Sequence, residues 1–175
     1  GRQPEPEPLM LPPDSSAVGT SIQQQLMPLI ERAKAMATLQ GRPWHGPENW
    51  PAWASESARI AATAEIVANL LENAFRYSPS GTAIGLMALP DGLCIWDEGP
   101  PIDPDERDAI FQEGVRGRRG RDRPGTGLGL ALARQLAEDD GGTLELCVEP
   151  SRLAAELPQQ GNAFHLTWSE PEAPT

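Results

Sequence analysis

The sequence lacks most features that mark membrane proteins, disulfide-rich proteins and nucleic-acid binders. It has no signal peptide and no apolar run near the length of about 18 residues that a membrane helix needs. Only two cysteines occur, Cys94 and Cys147, and both lie in apolar, strand-like runs. This predicts two buried, reduced thiols with no disulfide framework and no metal site. The 14 basic residues are outnumbered by 25 acidic ones, and the net charge of −11 argues against nucleic-acid binding. We therefore expect a soluble chain that contacts neither a membrane nor a nucleic acid.

Proline is concentrated at the two ends of the chain, and this sets the expected domain boundaries. The 175 residues suffice for one domain with a core, but not for two ordinary domains. We interpret residues 1–19 as a Pro-rich linker, residues 20–168 as the folded domain, and residues 169–175 as a flexible tail.

One local basic cluster interrupts the acidic background. It consists of five arginines within eight residues: Arg116, Arg118, Arg119, Arg121 and Arg123. A basic loop on an acidic body suggests a small anionic ligand or a docking partner.

The order of predicted elements indicates an α+β domain. Helical periodicity extends over residues 21–39, where Pro28 should kink the helix or mark its true start, and again over 57–77. The segment between these helices reads as an irregular connection or a poor edge strand. The remaining predicted elements are two strands (82–89 and 93–96), a short helix (103–112), a loop (113–126), a helix (127–139) and two strands (143–148 and 162–168). Antiparallel strand pairs and helices in this order favour one sheet with helices packed on one face.

The long second helix carries an unusual polar stripe. Glu65, Asn69 and Asn73 lie four residues apart on one side, and Arg76 follows one turn later. A solvated polar face would give the same pattern. However, asparagine is a mediocre helix former, and its amide oxygen is a suitable ligand for Mg²⁺.

Two loops carry further candidate chemistry. Asp97 lies where a predicted strand enters a tight turn, so its carboxylate could accept a hydrogen bond from an exocyclic amine such as that of adenine, although Asp-x-Gly is also a common turn sequence. In the segment 124–130, glycines alternate just before a helix, which lets backbone N–H groups approach phosphate oxygens. The spacing matches neither the dinucleotide fingerprint nor a P-loop.

Taken together, four segments resemble the nucleotide-binding boxes of sensor histidine kinases, in order and in spacing. They are Asn-Leu-Leu-Glu-Asn-Ala-Phe-Arg-Tyr-Ser (69–78), Asp-Glu-Gly (97–99), Ile-Phe-Gln-Glu-Gly-Val-Arg-Gly (110–117) and Gly-Thr-Gly-Leu-Gly-Leu-Ala-Leu-Ala (125–133). The resemblance covers about residues 20–168 and extends to the wider superfamily of gyrase, a related chaperone and the mismatch-repair ATPases. It implies a two-layer α/β sandwich of the Bergerat type. In that fold a mixed, mostly antiparallel sheet is covered on one face by about three helices, with a mobile ATP lid at about residues 113–126.

The resemblance also implies roles for individual residues, with ATP and Mg²⁺ as cofactors. Asn73 would ligate Mg²⁺, and Asn69 would act at the metal and phosphate end as a catalytic residue. Arg76 would contact phosphate, Tyr77 would border the nucleotide, and Arg116 would reach toward the γ-phosphate as a second catalytic residue.

The remaining implied contacts lie in the two loops. Asp97 would read the adenine amino group, Gly99 would let the base approach the backbone, and Ile102 would complete that side of the pocket. The phosphate cradle and lid hinge would be formed by Gly125, Thr126, Gly127, Leu128 and Gly129.

Two positions depart from the family pattern. Pro101 replaces a usual glycine, which stiffens the loop and removes one N–H. Gly114 and Val115 replace an aromatic pair, whereas Phe111 is retained. Both changes affect loop detail rather than the expected metal ligand or adenine acceptor, so we expect nucleotide binding to survive.

The function implied is transfer of the ATP γ-phosphoryl group to a histidine in a two-component signalling system. Neither His45 nor His165 is a convincing acceptor, and the dimerisation segment that carries the acceptor in this family has no counterpart in residues 1–20. The implied partners are the dimerisation and phosphoacceptor helices of a longer parent kinase and, through the parent, a response regulator. The implied location is cytoplasmic, and a membrane-anchored parent is compatible with it.

Two other functions fit the same residues. A stand-alone serine kinase of the anti-sigma-factor type shares the superfamily fold and needs no dimerisation helices. A non-catalytic, nucleotide-gated docking module is suggested by Pro101, and it would bind nucleotide without turnover.

Overall fold

The computed structural model describes residues 20–112 and 129–168, which form one sheet with helices on one face. The helices are α1 (Ile22–Leu39), α2 (Thr63–Tyr77) and α3 (Gly129–Asp139). The strands are β1 (Trp44–His45), β2 (Ile84–Leu89), β3 (Gly92–Asp97), β4 (Thr143–Cys147) and β5 (Asn162–Thr167). Within the described ranges, none of the helices has the length and apolar character required of a membrane span.

Helix α1 begins at a capping box and continues through a proline. The Ser21 hydroxyl accepts a hydrogen bond from the Gln24 backbone N–H at 3.1 Å, and the Gln24 side chain accepts one from the Ser21 N–H at 3.0 Å. These two bonds satisfy donors that a helix start otherwise leaves unpaired. Pro28 lies inside the helix, so the suggestion that it marks the true start is wrong.

Helix α2 starts six residues later than its predicted start at Ser57. The Ile60 side chain is fully buried, and its carbonyl accepts from both the backbone N–H and the hydroxyl of Thr63, at 3.0 and 2.6 Å. The Ala61 N–H donates to the Asp140 carboxylate, just beyond the end of α3, at 2.8 Å. One local and one long-range contact thus fix Ile60 and Ala61 just outside the helix, despite the favourable composition of the preceding segment.

The helix predicted over residues 103–112 is replaced by two 3₁₀ turns, Pro104–Glu106 and Ala109–Phe111. Arg107 lies between them, and its Nε donates back to the Ile102 carbonyl at 3.2 Å. The second turn buries Ile110 and Phe111 in the core. The Asp-Pro start signal therefore produced one 3₁₀ turn, and a separate turn places Ile110 and Phe111 in the core.

The sheet has the order β1-β2-β3-β5-β4, with only β1 and β2 parallel. The pairs β2–β3, β3–β5 and β4–β5 are antiparallel. The predicted mixed, mostly antiparallel sheet is therefore confirmed, and the poor edge strand near His45 is β1. Asp97 ends the central strand β3, where it pairs with Ile84 of β2 and Asn162 of β5.

The main core lies between the helices and the face of the sheet formed by alternate strand residues. The helices contribute Leu26, Ala33, Ile66, Val67, Leu70, Ala133 and Ala137, and the sheet contributes Leu86, Leu93, Ile95, Leu144, Phe164 and Leu166. All are almost completely removed from water, so the hydrophobic effect holds the helices in place over the strands.

A smaller apolar cluster covers the opposite face of the sheet. Cys94, Trp96 and Ala163 are buried there beneath Leu153 and Leu157 of the connection between β4 and β5. The long connection predicted from the sequence therefore has a packing role.

The cysteine prediction is correct in part. Cys94 and Cys147 are both free thiols, and Cys94 is fully buried. Cys147 is only half-buried, since it ends the edge strand β4, and its Sγ lies 3.2 Å from the Glu149 carbonyl oxygen that accepts its hydrogen bond. Within residues 20–112 and 129–168, no group of three or more His, Cys, Asp or Glu side chains is placed to hold a metal ion.

Candidate active site

The site is centred on the carboxylate of Asp97. This residue ends β3 and is only 1% exposed. Its Oδ1 accepts a hydrogen bond from the Gly99 N–H at 2.8 Å, which turns the chain sharply as it leaves the sheet. A carboxylate can accept about four hydrogen bonds, so a carboxylate held in this way is a suitable acceptor for a donor from a ligand.

Asn162, on the neighbouring strand β5, organises the loop that follows Asp97. Its side-chain oxygen accepts from the Ile102 N–H at 2.9 Å, and its side-chain nitrogen donates to the Pro100 carbonyl at 2.9 Å. The same nitrogen lies 3.4 Å from Asp97 Oδ1. Asn162 thus holds both residues that flank Pro101. Sequence reasoning missed it, because its partners lie 60 and 62 residues away in the sequence.

Gly99 is where this loop meets the end of α2. A Cβ built on Gly99 would lie 2.8 Å from Asp97 Oδ1 and 2.9 Å from the Pro79 ring. Contacts that short would force a shift, so only glycine fits without rearrangement. The loop after β3 and the residues after α2, Ser78 and Pro79, are therefore in direct contact.

The polar stripe on α2 leads toward this contact. Asn69 and Asn73 are half-buried, and neither side chain has a hydrogen-bond partner within the described ranges. Arg76 pairs with Glu72 at 2.7 Å, and its guanidinium lies 6.0 Å from the centroid of the Tyr77 ring. The structure therefore presents two amides, a cation and an aromatic ring along one helix that ends beside the Asp97 loop.

A second buried charge lies behind the loop, and sequence reasoning missed it. Arg42, in the connection between α1 and β1, is 6% exposed and donates hydrogen bonds to Ser78 and Thr82. Burial lowers the pKa of its guanidinium below the ordinary value, and the charge of Asp97 opposes that by raising it.

Phe111 and Gly129 border the segment that lies outside the described residues. Phe111 is 8% exposed, and the Arg134 guanidinium lies 4.0 Å from the centroid of its ring. Gly129 is the first residue of α3, and a Cβ there would meet no described atom within 4 Å. Packing within residues 20–112 and 129–168 therefore does not explain the glycine at this position.

Several predicted site residues lie outside the described residues. These are Arg116, Gly125, Thr126, Gly127 and Leu128, together with the predicted lid at about residues 113–126. Among the described residues, the structure brings together Asp97, Gly99 and Ile102, with the end of α2 beside them.

The two histidines lie on the sheet face opposite the helices. His45 pairs with Gly85 of β2 and stacks on the Trp96 ring at 5.5 Å, and His165 lies 3.5 Å from the Asp91 carboxylate.

The chemistry of the described side chains suits a purine nucleotide with a divalent cation. A buried, oriented carboxylate can accept from an amino group, and amide oxygens are hard ligands that suit Mg²⁺. The cation on α2, Arg76, has a charge that suits a phosphate group.

A family model matches the part of the chain that carries α2 and the Asp97 loop. Residues 59–172 match the model for "Histidine kinase-, DNA gyrase B-, and HSP90-like ATPase". This match covers well over half of the chain and includes α2, α3 and strands β2 to β5.

Curated proteins with similar sequences include a sensor histidine kinase and a sensor protein. The chain is 35% identical over 131 residues to the sensor histidine kinase Hik2 of Thermosynechococcus vestitus, which covers 70% of this chain and 33% of that protein. It is 34% identical over 113 residues to the sensor protein KdpD of Escherichia coli, which covers 62% of this chain and 12% of that protein. The chain thus spans a third or less of these relatives' own lengths.

Solved structures show the same fold. A mycobacterial sensor histidine kinase, MprB, matches with a TM-score of 0.57 at 25% identity, covering 82% of this chain and 93% of that one. Full-length ShkA in complex with AMPPNP matches with a TM-score of 0.62 at 21% identity, covering 87% of this chain and 32% of that one.

Proposed function

The chain belongs to the family of histidine kinase-, DNA gyrase B- and HSP90-like ATPases, and on that basis we propose that it is the ATP-binding catalytic domain of a sensor histidine kinase. The proposed reaction transfers the γ-phosphoryl group of ATP to a histidine in a two-component signalling system. The observation that carries this proposal is the buried Asp97 carboxylate, fixed by Gly99 and placed beside the end of α2.

The adenine end of the site consists of Asp97, Gly99 and Ile102. Asp97 would accept a hydrogen bond from the adenine amino group, and Gly99 would leave room for the base next to the backbone. Ile102 is 4% exposed and would contribute an apolar wall. Asn162 supports the loop from behind, so the acceptor is oriented before nucleotide binds.

The phosphate end consists of the polar stripe on α2. Asn73 would hold Mg²⁺, with Asn69 one turn earlier at the same metal and phosphate end. Bound Mg²⁺ would neutralise negative charge on the phosphates. Arg76 would contact a phosphate oxygen, and Tyr77 would border the nucleotide.

The predicted residues outside the described part of the chain complete the proposal. Arg116 would reach toward the γ-phosphate. Gly125, Thr126, Gly127 and Leu128 would form a phosphate cradle with Gly129, the first residue of α3, within a lid at about residues 113–126. Residues 1–19 would serve as a linker and 169–175 as a tail.

The phosphoryl acceptor is proposed to lie on the dimerisation helices of a longer parent protein, which would pass the group to a response regulator. His45 and His165 are poor candidates, because both lie on the sheet face opposite α2. The relatives named above are much longer than this chain, which supports a parent with further domains. We propose a cytoplasmic location for the domain on the same analogy.

The competing functions receive less support. The relative Hik2 is named a sensor histidine kinase, not an anti-sigma-factor-type serine kinase. The docking-module hypothesis rests on Pro101, yet Asn162 bonds the residues on both sides of that proline, so the loop after Asp97 is held in place without the missing N–H.

The binding test is a calorimetric titration of the chain with AMPPNP, with and without Mg²⁺, in the wild type and in Asn73→Ala and Asp97→Ala. We expect Asp97→Ala to weaken binding and Asn73→Ala to remove its Mg²⁺ dependence. Glu149→Gln, on the β4–β5 connection, is a control that should bind as the wild type does. If the folded wild-type chain does not bind AMPPNP at millimolar concentration, the proposal is wrong.

In the transfer test, the chain is mixed with the histidine-bearing segment of the parent protein, labelled ATP and Mg²⁺. Label that reaches this segment and is lost in acid identifies phosphohistidine, as the proposal requires. Acid-stable label would favour the serine kinase. Tight nucleotide binding with no transfer would favour the docking module.

A further inference from the structure

Arg42 occupies a position that ties α1 to the loops around Asp97. Its backbone N–H donates to the Ala37 carbonyl in the last turn of α1 at 2.8 Å, which fixes where its side chain starts. From there the side chain enters the interior, and the residue is 6% exposed. The family match begins at residue 59, so it does not include this arginine.

The guanidinium closes the turn that joins α2 to β2. Nε donates to the Thr82 carbonyl at 3.0 Å, and Nη2 donates to the hydroxyls of Ser78 and Thr82. The Ser78 hydroxyl in turn donates to the Ala74 carbonyl on α2. Cζ of the guanidinium lies 5.6 Å from the centroid of the Phe75 ring. One side chain therefore fixes both ends of the turn.

The same turn supports the Asp97 loop. Pro79, inside the turn, lies where a Cβ on Gly99 would come within 2.9 Å of its ring. At the other end of the turn, the Glu98 N–H donates to the Ala83 carbonyl at 3.2 Å. A displacement of the turn would therefore also move Asp97 and Gly99, the residues on either side of Glu98.

Charge links the two residues as well. Within residues 20–112 and 129–168, Arg42 and Asp97 are the only charged side chains that are buried. A buried charge is costly unless it is paired and hydrogen-bonded, and for packing alone an apolar side chain of similar volume is often at least as stable. The Asp97 charge raises the pKa of the Arg42 guanidinium, so the two buried groups attract each other, which suggests a role for Arg42 beyond packing.

We infer that Arg42 is a positioning residue for the adenine end of the site, holding Asp97 and Gly99 where the carboxylate can read the exocyclic amine of the base. This inference rests on the proposed nucleotide function. It predicts that Arg42 controls the preference for a purine that carries the amino group, rather than nucleotide affinity as a whole.

The test compares two ligands that differ only in that amino group, ATP and purine riboside 5′-triphosphate. Their dissociation constants with Mg²⁺ are measured by calorimetry on the full chain. A hydrogen bond to a charged acceptor is worth about ten- to a hundredfold in affinity, so the wild type should prefer ATP by at least about tenfold. Arg42→Gln should lower the preference to about twofold by weakening ATP binding alone, and Arg42→Lys should be intermediate. Arg152→Gln, an exposed arginine on the β4–β5 connection, should leave it unchanged.

Each outcome is decisive. A wild type that binds neither ligand, or both equally, overturns the proposed adenine site and this inference with it. A wild type that prefers ATP, together with an Arg42→Gln variant that weakens both ligands in parallel or neither, overturns the inference alone. If circular dichroism shows that Arg42→Gln is unfolded, Arg42→Lys decides, and a preference equal to that of the wild type overturns the inference.

Discussion

Asn162 accepts a hydrogen bond from the backbone N–H of Ile102 at 2.9 Å, across a sequence separation of 60 residues. Both residues are buried, at 0 and 4% exposure, so water cannot readily replace this bond. The loop that carries Asp97 and Pro101 therefore depends on one amide side chain from the last described strand.

The first prediction follows from this bond. Asn162→Ala leaves the buried Ile102 N–H and the Pro100 carbonyl without their partner, which should lower the free energy of unfolding by about 1–3 kcal/mol. It should also weaken AMPPNP binding, because the loop loses its support. Denaturant unfolding and calorimetry measure the two effects.

Asn73→Ala provides the matched comparison. The Asn73 side chain is half-buried and has no hydrogen-bond partner within the described ranges, so its loss should change the free energy of unfolding by less than about 0.5 kcal/mol. If the two variants were equally destabilised, the structural role assigned to Asn162 would be wrong.

The second prediction concerns Gly85 on β2, which lies directly under the Trp96 ring on β3. A Cβ on Gly85 would approach atoms of the indole to 2.5 Å. Because Trp96 is only 5% exposed and also stacks on His45, it has little room to move. Gly85→Ala should therefore lower the free energy of unfolding by about 1–3 kcal/mol through overpacking.

The double variant Gly85→Ala, Trp96→Leu tests the cause of that destabilisation. The smaller side chain removes the clash, so adding Gly85→Ala to Trp96→Leu should cost much less than adding it to the wild type. Additive costs in a denaturant series would show that Gly85 is required for another reason.

Much of the fold could be predicted because its signals are local. The apolar periodicity of α1 and α2, and the Pro-Asp-Gly turn between β2 and β3, each lie within a short window. The sheet class followed from the order of those elements. The start of α2 did not, because Ile60 and Ala61 are held outside the helix by contacts with Thr63 and with Asp140, 79 residues away from Ala61.

In the candidate site too, residues with a local signal were predicted, and residues that depend on long-range contacts were not. Asp97 was predicted from its place at the end of a strand, and the asparagines of α2 were predicted from their spacing. Arg42 and Asn162 were not, since their roles depend on hydrogen bonds that span 40 and 60 residues of sequence. No local pattern indicates that an arginine in a Trp- and Pro-rich connection will be buried near a carboxylate. The roles of all the predicted site residues, including Arg116 and residues 125–128, stay predictions.

The third prediction concerns thiol reactivity. Burial raises the pKa of the Cys94 thiol well above its ordinary value, and the neighbouring Cys147 raises it further. Since the thiolate is the reactive form, Cys94 should resist modification in the folded chain at pH 8, whereas the half-buried Cys147 should react. Ellman's reagent should therefore titrate one thiol in the native chain and two in guanidinium chloride.

Cys147→Ser identifies the reactive thiol, because the native variant should show no rapid reaction at all. If two thiols of the native wild type react rapidly, the apolar cluster on the sheet face opposite the helices opens readily.

The fourth prediction concerns the pair formed by Glu72 and Arg76 on α2, which are 2.7 Å apart. Their side chains are 61 and 34% exposed, so the pair should contribute only about 0.3–0.5 kcal/mol to stability. Arg76 is also the proposed phosphate contact, and Glu72 competes with phosphate for it. Glu72→Gln should therefore raise AMPPNP affinity about two- to fivefold while barely changing the free energy of unfolding, because a like charge near the phosphates is removed.

Glu149→Gln is the matched control, because Glu149 also pairs with an arginine at 2.7 Å but lies on the β4–β5 connection. It removes one negative charge from the chain without changing α2, so any effect of net charge alone appears in both variants. An affinity gain confined to Glu72→Gln, and reduced as the salt concentration rises, would place the Glu72–Arg76 pair near the phosphates. Equal gains in the two variants would assign the effect to net charge, and no gain in either would contradict the proposed position of the pair near the phosphates.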